Sequence, residues 1–286
     1  MITIALCACS AKGDGYTRRA VPLTTTLYVA NAGNSTVSVF DLSHRHAAPS
    51  LITGGGLYGP SGAALDARGE LYVTNPVVDR LSVFDTTHGD RVLPAIVGAR
   101  NGSYPGGVVV DRRGTLYVAN SGANSVSVFE NLPRAQTLTI TGGGLSAPWG
   151  IASSPRGKLY VANENRNTVS VFDMMHGNVA LKPITGGGLN FPFGIALAST
   201  GRLYVANLDG NSVSIFDTAR GNIALKTITG VGLRNPSGVA LDRSGYLYVA
   251  NSGRNSVSVF DTRLGNAPLR PITGGGLDFP YGVAVH

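Results

Sequence analysis

The chain has 286 residues with 39 glycines, 43% hydrophobic and only 14% charged residues, a balance that excludes an intrinsically disordered chain. Few Lys and Glu beside many Gly, Val, Ser and Asn make a strand-and-turn composition. A net charge of +7 raises nucleic acid as a partner, while no apolar run reaches the length of a membrane-spanning helix.

The first segment, residues 1–26, reads as a leader. Ile2 to Ala8 form a short apolar run followed by small and polar residues, similar to the tail of a secretory signal that lacks its basic start. Leu6-Cys7-Ala8-Cys9 resembles a bacterial lipoprotein box, in which Cys9 is the residue cleaved and lipidated. Both cysteines lie here, so the rest of the chain owes nothing to disulfides. The expectation is an exported protein, secreted, periplasmic or lipid-anchored at Cys9. The alternative is a leader with no such purpose.

From residue 27 onward one unit recurs. Leu-Tyr-Val-Ala-Asn begins at Leu27, Leu116, Leu159, Leu203 and Leu247, with Leu-Tyr-Val-Thr-Asn at Leu71, so the steps are 44, 45, 43, 44 and 44 residues. After each copy come a turn, a Ser-Val-Ser-Val-Phe-Asp-like segment, a variable loop, an apolar strand, a Gly-Gly-Gly-Leu turn and a Pro-x-Gly strand. That makes four short strands per repeat, with no run of helical period. Such units match the blades of a propeller. The first Leu-Tyr-Val-Ala-Asn lacks a Pro-x-Gly strand before it, whereas the chain finishes on Pro280-Tyr281-Gly282-Val283-Ala284-Val285-His286. The expected fold is therefore all-β, a single six-bladed β-propeller over 27–286, with four-stranded blades and one blade closed by strands from both termini.

The unit Pro-x-Gly-Ile-Ala-Leu-Asp, Leu-Tyr-Val-Ala-Asn and Asn-Ser-Val-Ser-Val-Phe-Asp resembles the NHL repeat, and Leu71 to Asn75 followed by Ser-Val-Phe-Asp resembles the YVTN-family propeller repeat. Both resemblances imply a propeller. They leave function open, because such propellers serve as binding scaffolds, sensor domains and occasionally enzymes.

Symmetry sorts the residues that follow. A side chain present in every blade serves the blade, so function is expected where the repeat is broken. The Asn that ends each second strand (Asn31, Asn75, Asn120, Asn163, Asn207, Asn251) reads as a turn residue bonding its own backbone. The acid after each Val-Phe reads as an acceptor for turn amides. The Gly-Gly-Gly-Leu turns lead into strands rather than helix N-termini, which argues against a phosphate cradle.

Antiparallel strand order puts the Pro-x-Gly starts and the loops after each Asn on one face, here the top. There Arg80, Arg100, Arg166, Arg234 and Arg254 face Asp79, Glu164, Asp209 and Asp278. Such mixed charge argues against nucleic acid, although RNA binding remains an alternative because some NHL propellers bind RNA on a basic top. A lactonase-like or lyase-like enzyme is the other alternative that the resemblance implies, with a channel metal or a catalytic histidine. The six Pro-x-Gly positions, Ser61, Gly106, Trp149, Phe193, Ser237 and Tyr281, include no acid, so no metal or cofactor is expected. His44, His46, His88 and His176 fall on bottom loops and His286 ends the chain, leaving no catalytic residue to name.

The favoured reading is a non-catalytic binding or protein-interaction propeller for a protein, peptide or glycan. Its candidate site is the top channel mouth, where Trp149, Phe193 and Tyr281 oppose Ser61 and Ser237, with Arg166, Arg254, Glu164 and Asp209 as a polar rim. The competing reading is that the rings only plug the channel against water.

Overall fold

A computed structural model describes residues 25–44, 47–97, 102–130, 136–230 and 232–286. Cys9 and the leader before Thr25 lie outside the described residues, as do Arg45, His46, Arg100 and Arg134. Six antiparallel sheets stand around a central axis. The regular blade is seen in the fourth, where Pro148–Ser153, Lys158–Asn163, Thr168–Asp173 and Val179–Thr185 run from axis to rim.

The ring closes as the orphan strands require. Pro280–Val285 lies innermost beside Thr26–Asn31, followed by Thr36–Asp41 and Ser50–Ile52. Leu27 pairs with Val285 and Val29 with Val283, so the last strand of the chain completes the first blade. The first described strand begins at Thr26. Among the described residues five short 3-10 turns occupy loops, including Thr86–His88 and Glu164–Arg166.

Why the strands are apolar on both faces is clear from the core. It consists of six clusters, each held between two consecutive blades. One joins Tyr204, Val213 and Ile215 of the fifth blade to Leu247, Val249 and Phe260 of the sixth. Each blade therefore buries both faces, which a lone four-stranded sheet cannot do.

The repeated Asn is buried and does more than the sequence suggested. Asn207 Oδ1 accepts from the Asn190 amide at 3.1 Å, and its Nδ2 donates to Ser212 and Ser214 hydroxyls at 3.0 and 2.9 Å. Ser214 in turn donates to the Gly187 carbonyl at 2.8 Å. The same chain of bonds runs from Asn163 through Ser170 to Gly143. Only Asn75 and Asn251 also donate to their own backbone two residues back, at 3.2 Å each. The Asn–Ser pair is thus a clamp between a blade and the Gly-Gly-Gly turn that leads into its own inner strand. The acid after Val-Phe caps its turn as expected: Asp85 Oδ1 accepts from the Thr87 amide at 3.1 Å.

Candidate functional site

In five blades the Pro-x-Gly segment opens an inner strand and a bulge follows it, while in the second blade the inner strand starts just after the motif, at Ala63. In the fourth blade Pro148 pairs with Asn163 but Ile151 pairs with Val161, so Trp149 and Gly150 together oppose one residue. The same shift occurs at Pro105, Pro192, Pro236 and Pro280. Bulges re-aim side chains. Here they set the x residue on the axis, where Ser61, Trp149, Phe193, Ser237 and Tyr281 line one channel.

The Gly of the motif follows from how closely the inner strands approach. A Cβ on Gly194 would overlap the Ser237 carbonyl oxygen and stand 2.8 Å from the Gly238 Cα. Equivalent overlaps recur at Gly62, Gly107, Gly150, Gly238 and Gly282. In the second blade Thr74, the residue that makes that copy Leu-Tyr-Val-Thr-Asn, accepts from the Gly62 amide at 2.6 Å and donates to the Gly106 carbonyl at 2.5 Å.

Three rings from three blades meet over this channel. Trp149 and Phe193 have centroids 4.5 Å apart, and Phe193 and Tyr281 have centroids 5.4 Å apart. Tyr281 also stacks with Phe279 at 6.0 Å. The small positions are not an open half of the mouth. A Cβ on Gly106 would lie 3.0 Å from the Trp149 ring, so the indole leans over that glycine. Ser237 is fully buried and donates to the Pro280 carbonyl at 2.8 Å. Ser61 differs: its Oγ is buried and has no hydrogen-bond partner among the described residues. The channel keeps a residual volume of about 60 Å³.

The rim is set by backbone bonds between neighbouring loops. Glu164 N donates to Ala147 O at 3.2 Å, and Leu208 N donates to Phe191 O at 3.0 Å. These bonds hold the loops bearing Glu164 and Asp209 beside the starts of the strands bearing Trp149 and Phe193. Burial, with Asp209 as a second cause, pushes the Glu164 carboxyl above the ordinary glutamate value. Burial and then Glu164 push the Tyr281 phenol up in the same way. Glu164 belongs to the fourth blade and Tyr281 to the first, three places round the ring, so the carboxylate acts across the axis. Arg166 and Arg254 are exposed, and neither side chain pairs with these acids.

Sequence reasoning missed the residue before each proline. Gly59, Tyr104, Ala147, Phe191, Asn235 and Phe279 all have positive φ, between 44° and 54°. Among the non-glycines this is a strained conformation, and a following proline disfavours it further. Tyr104 and Phe279 are about half exposed on the top, as is Tyr58 nearby. The position varies while its neighbours repeat, which is the signal that marks it.

The described loop histidines sit elsewhere. His44, His88 and His176 hydrogen-bond Asp41, Asp85 and Asp173 in the bottom turns. A larger cavity of about 370 Å³ also opens away from the mouth, at the seam of the third and fourth blades beside Tyr117, Met174 and Met175. In three other seams a Thr of the next blade faces a blade's Tyr and tempers the rise that burial gives its phenol, as Thr218 does for Tyr160. Met174 takes that place here, and burial with Asp111 pushes the Tyr117 phenol up to about 12. Among the described residues no helix is long and apolar enough to cross a membrane.

The NHL repeat family matches residues 103–129, 145–172 and 233–260. No curated protein matches the chain. Among solved structures, a chain of the nidogen/laminin complex superposes with a TM-score of 0.78 at 19% identity, covering 92% of this chain and 98% of that one. A protein of unknown function from Bacteroides caccae gives 0.71 at 15% identity over 91% and 98%. Virginiamycin B lyase from Staphylococcus aureus gives 0.61 at 13% identity over 78% and 73%. At such identities the likeness is one of fold. The chain is a six-bladed β-propeller that carries NHL repeats.

Proposed function

We propose that the protein is a non-catalytic binding propeller whose top channel mouth receives part of a partner polypeptide. The observation that carries this reading is the convergence of Trp149, Phe193 and Tyr281 from three blades, at the positions where the six-fold repeat is broken. Aromatic groups of this kind dominate the energetics of interfaces. The remaining 60 Å³ favours a side-chain tip over a compact small molecule, whose pockets run to about 300–1,000 Å³. A chain of the same architecture occurs in a complex of two proteins, nidogen and laminin, which is in keeping with protein recognition. The lyase likeness supports an enzyme less well, because the described histidines on loops are engaged with Asp side chains on the far face.

A peptide-display selection on the intact protein tests the reading. Peptides it yields are expected to lose binding to both Trp149→Ala and Tyr281→Ala, while peptides that bind both variants at full affinity would place the site elsewhere. Export belongs to the same proposal: fractionation of the native host is expected to recover the protein outside the cytoplasm, and a cytoplasmic protein with an intact Cys9 segment would contradict it.

A further inference from the structure

We infer that the channel mouth takes a cationic side chain, lysine or arginine, of the partner polypeptide, held between the rings of Trp149, Phe193 and Tyr281 and the carboxylates of Glu164 and Asp209. This rests on the mouth being a binding site and adds the charge of what enters it.

Glu164 feels the charge of Asp209, and neither carboxylate has a counter-ion among the described residues. Elsewhere on the molecule acids find arginines: Asp66 pairs with Arg68 at 3.2 Å, Asp85 with Arg91 at 3.3 Å and Asp261 with Arg263 at 3.0 Å. No lysine or arginine among the described residues forms an ion pair with Glu164 or Asp209. Glu164 is partly withdrawn from water, and the exposed Asp209 disfavours its ionisation further; a cation between the two removes that penalty. The loops cannot easily splay apart to relieve it, because the Glu164–Ala147 and Leu208–Phe191 backbone bonds fasten them to the inner strands.

The rings add a second, independent attraction. The face of an aromatic ring is negative, and a cation within about 6 Å of its centroid is drawn to it, most strongly at tryptophan. The three rings line the channel, the loops bearing the acids are bonded to the starts of the Trp149 and Phe193 strands, and Tyr281 feels the Glu164 charge from the opposite side of the axis.

A third observation comes from the channel wall in the second blade. The Ser61 Oγ is buried in a residue only 5% exposed, lines the channel and has no hydrogen-bond partner among the described residues. A hydroxyl left unsatisfied in a buried place is costly, and an ammonium or guanidinium N–H is the donor its lone pairs can accept. The apolar stem of lysine or arginine would lie along the rings while the head reaches the oxygens.

The test uses acetylated, amidated pentapeptides Gly-Gly-Xaa-Gly-Gly, with Xaa lysine, arginine, norleucine or glutamate. They are titrated into the full chain while the emission of Trp149, its single tryptophan, is followed. The lysine and arginine peptides are expected to shift the emission saturably and to bind about ten-fold more tightly than the norleucine peptide. The double variant Glu164→Gln, Asp209→Asn, with its circular dichroism and melting unchanged, is expected to lose that ten-fold preference. If norleucine or glutamate binds as tightly as lysine, or the double variant keeps the preference, the cation is wrong while the mouth stands. If no peptide moves the emission at millimolar concentration, both readings fall.

Discussion

A methyl group on Gly194 would overlap the carbonyl oxygen of Ser237 in the next blade. The inner strands stand backbone to backbone at this level, so neither partner can yield as a flexible side chain would. Gly194→Ala is expected to destabilise the protein by about 3 kcal/mol, the upper end for overpacking, and to lower the melting temperature by about 6–10 °C. Calorimetry decides it. An unchanged melting temperature would mean that the ring is wider than this.

Closure by the C-terminal strand gives a second expectation. Pro280–Val285 supplies the ladder beside Thr26–Asn31, and Val283 is buried in the cluster between the sixth and first blades. Deleting 280–286 opens the ring and exposes that cluster. A truncated protein is expected to melt at a clearly lower temperature with a broader transition, whereas one that melts like the full chain would show that the ring does not depend on this strand.

Phe279 separates stability from recognition. Its φ of 50° costs on the order of 1–2 kcal/mol for an L side chain, and half of its ring is already exposed, so little burial is lost with it. Phe279→Gly is expected to raise stability by up to about 1 kcal/mol after the backbone entropy of glycine is counted. It also removes the ring stacked on Tyr281 and should weaken peptide binding at the mouth. Thermal melts and peptide titration on the same sample check both signs. Lower stability together with unaltered binding would contradict the account.

The raised Glu164 carboxyl fixes the sign of a pH dependence. A carboxyl raised in the folded protein loses its charge at a higher pH than a free one, near 4.3. Affinity for a lysine peptide should therefore be full above that raised value and fall as the pH drops through it. The groups that face Glu164 are Asp209 from the fifth blade and Tyr281 from the first. Stability of the free protein moves the other way: the penalty of the buried charge is present above the raised value and is relieved on protonation. Glu164→Gln should flatten the binding profile. A profile that stays flat in the wild type down to the ordinary glutamate range would contradict the assignment.

The fold was legible because six copies of one unit average out local ambiguity. The orphan Pro-x-Gly strand at 280 gave the closure on its own. The mouth was legible only in part. The x positions of the motif pointed to Trp149, Phe193 and Tyr281, but their mutual contacts depend on distances across the axis, which no local pattern contains. The same limit applied to charge. Glu164 and Asp209 read as members of a mixed rim with Arg166 and Arg254, whereas Asp209 acts on Glu164, Glu164 acts on Tyr281 across the axis, and those arginines are exposed without pairing either acid. Ser237 looked available and is bonded to the Pro280 carbonyl; Ser61, an identical residue at the equivalent place, is not bonded. The residues before the prolines went unread because a positive φ at Tyr104, Phe191 or Phe279 runs against local preference and is imposed by the ring.

The most direct measurement is a crystal structure of the protein soaked with the Gly-Gly-Lys-Gly-Gly peptide. The lysine ammonium is expected in the top mouth, within about 6 Å of the Trp149, Phe193 or Tyr281 centroid and in hydrogen-bonding reach of Glu164 or Asp209. Peptide seated instead in the cavity beside Met174 and Met175, or a mouth left empty at saturating peptide, would contradict it.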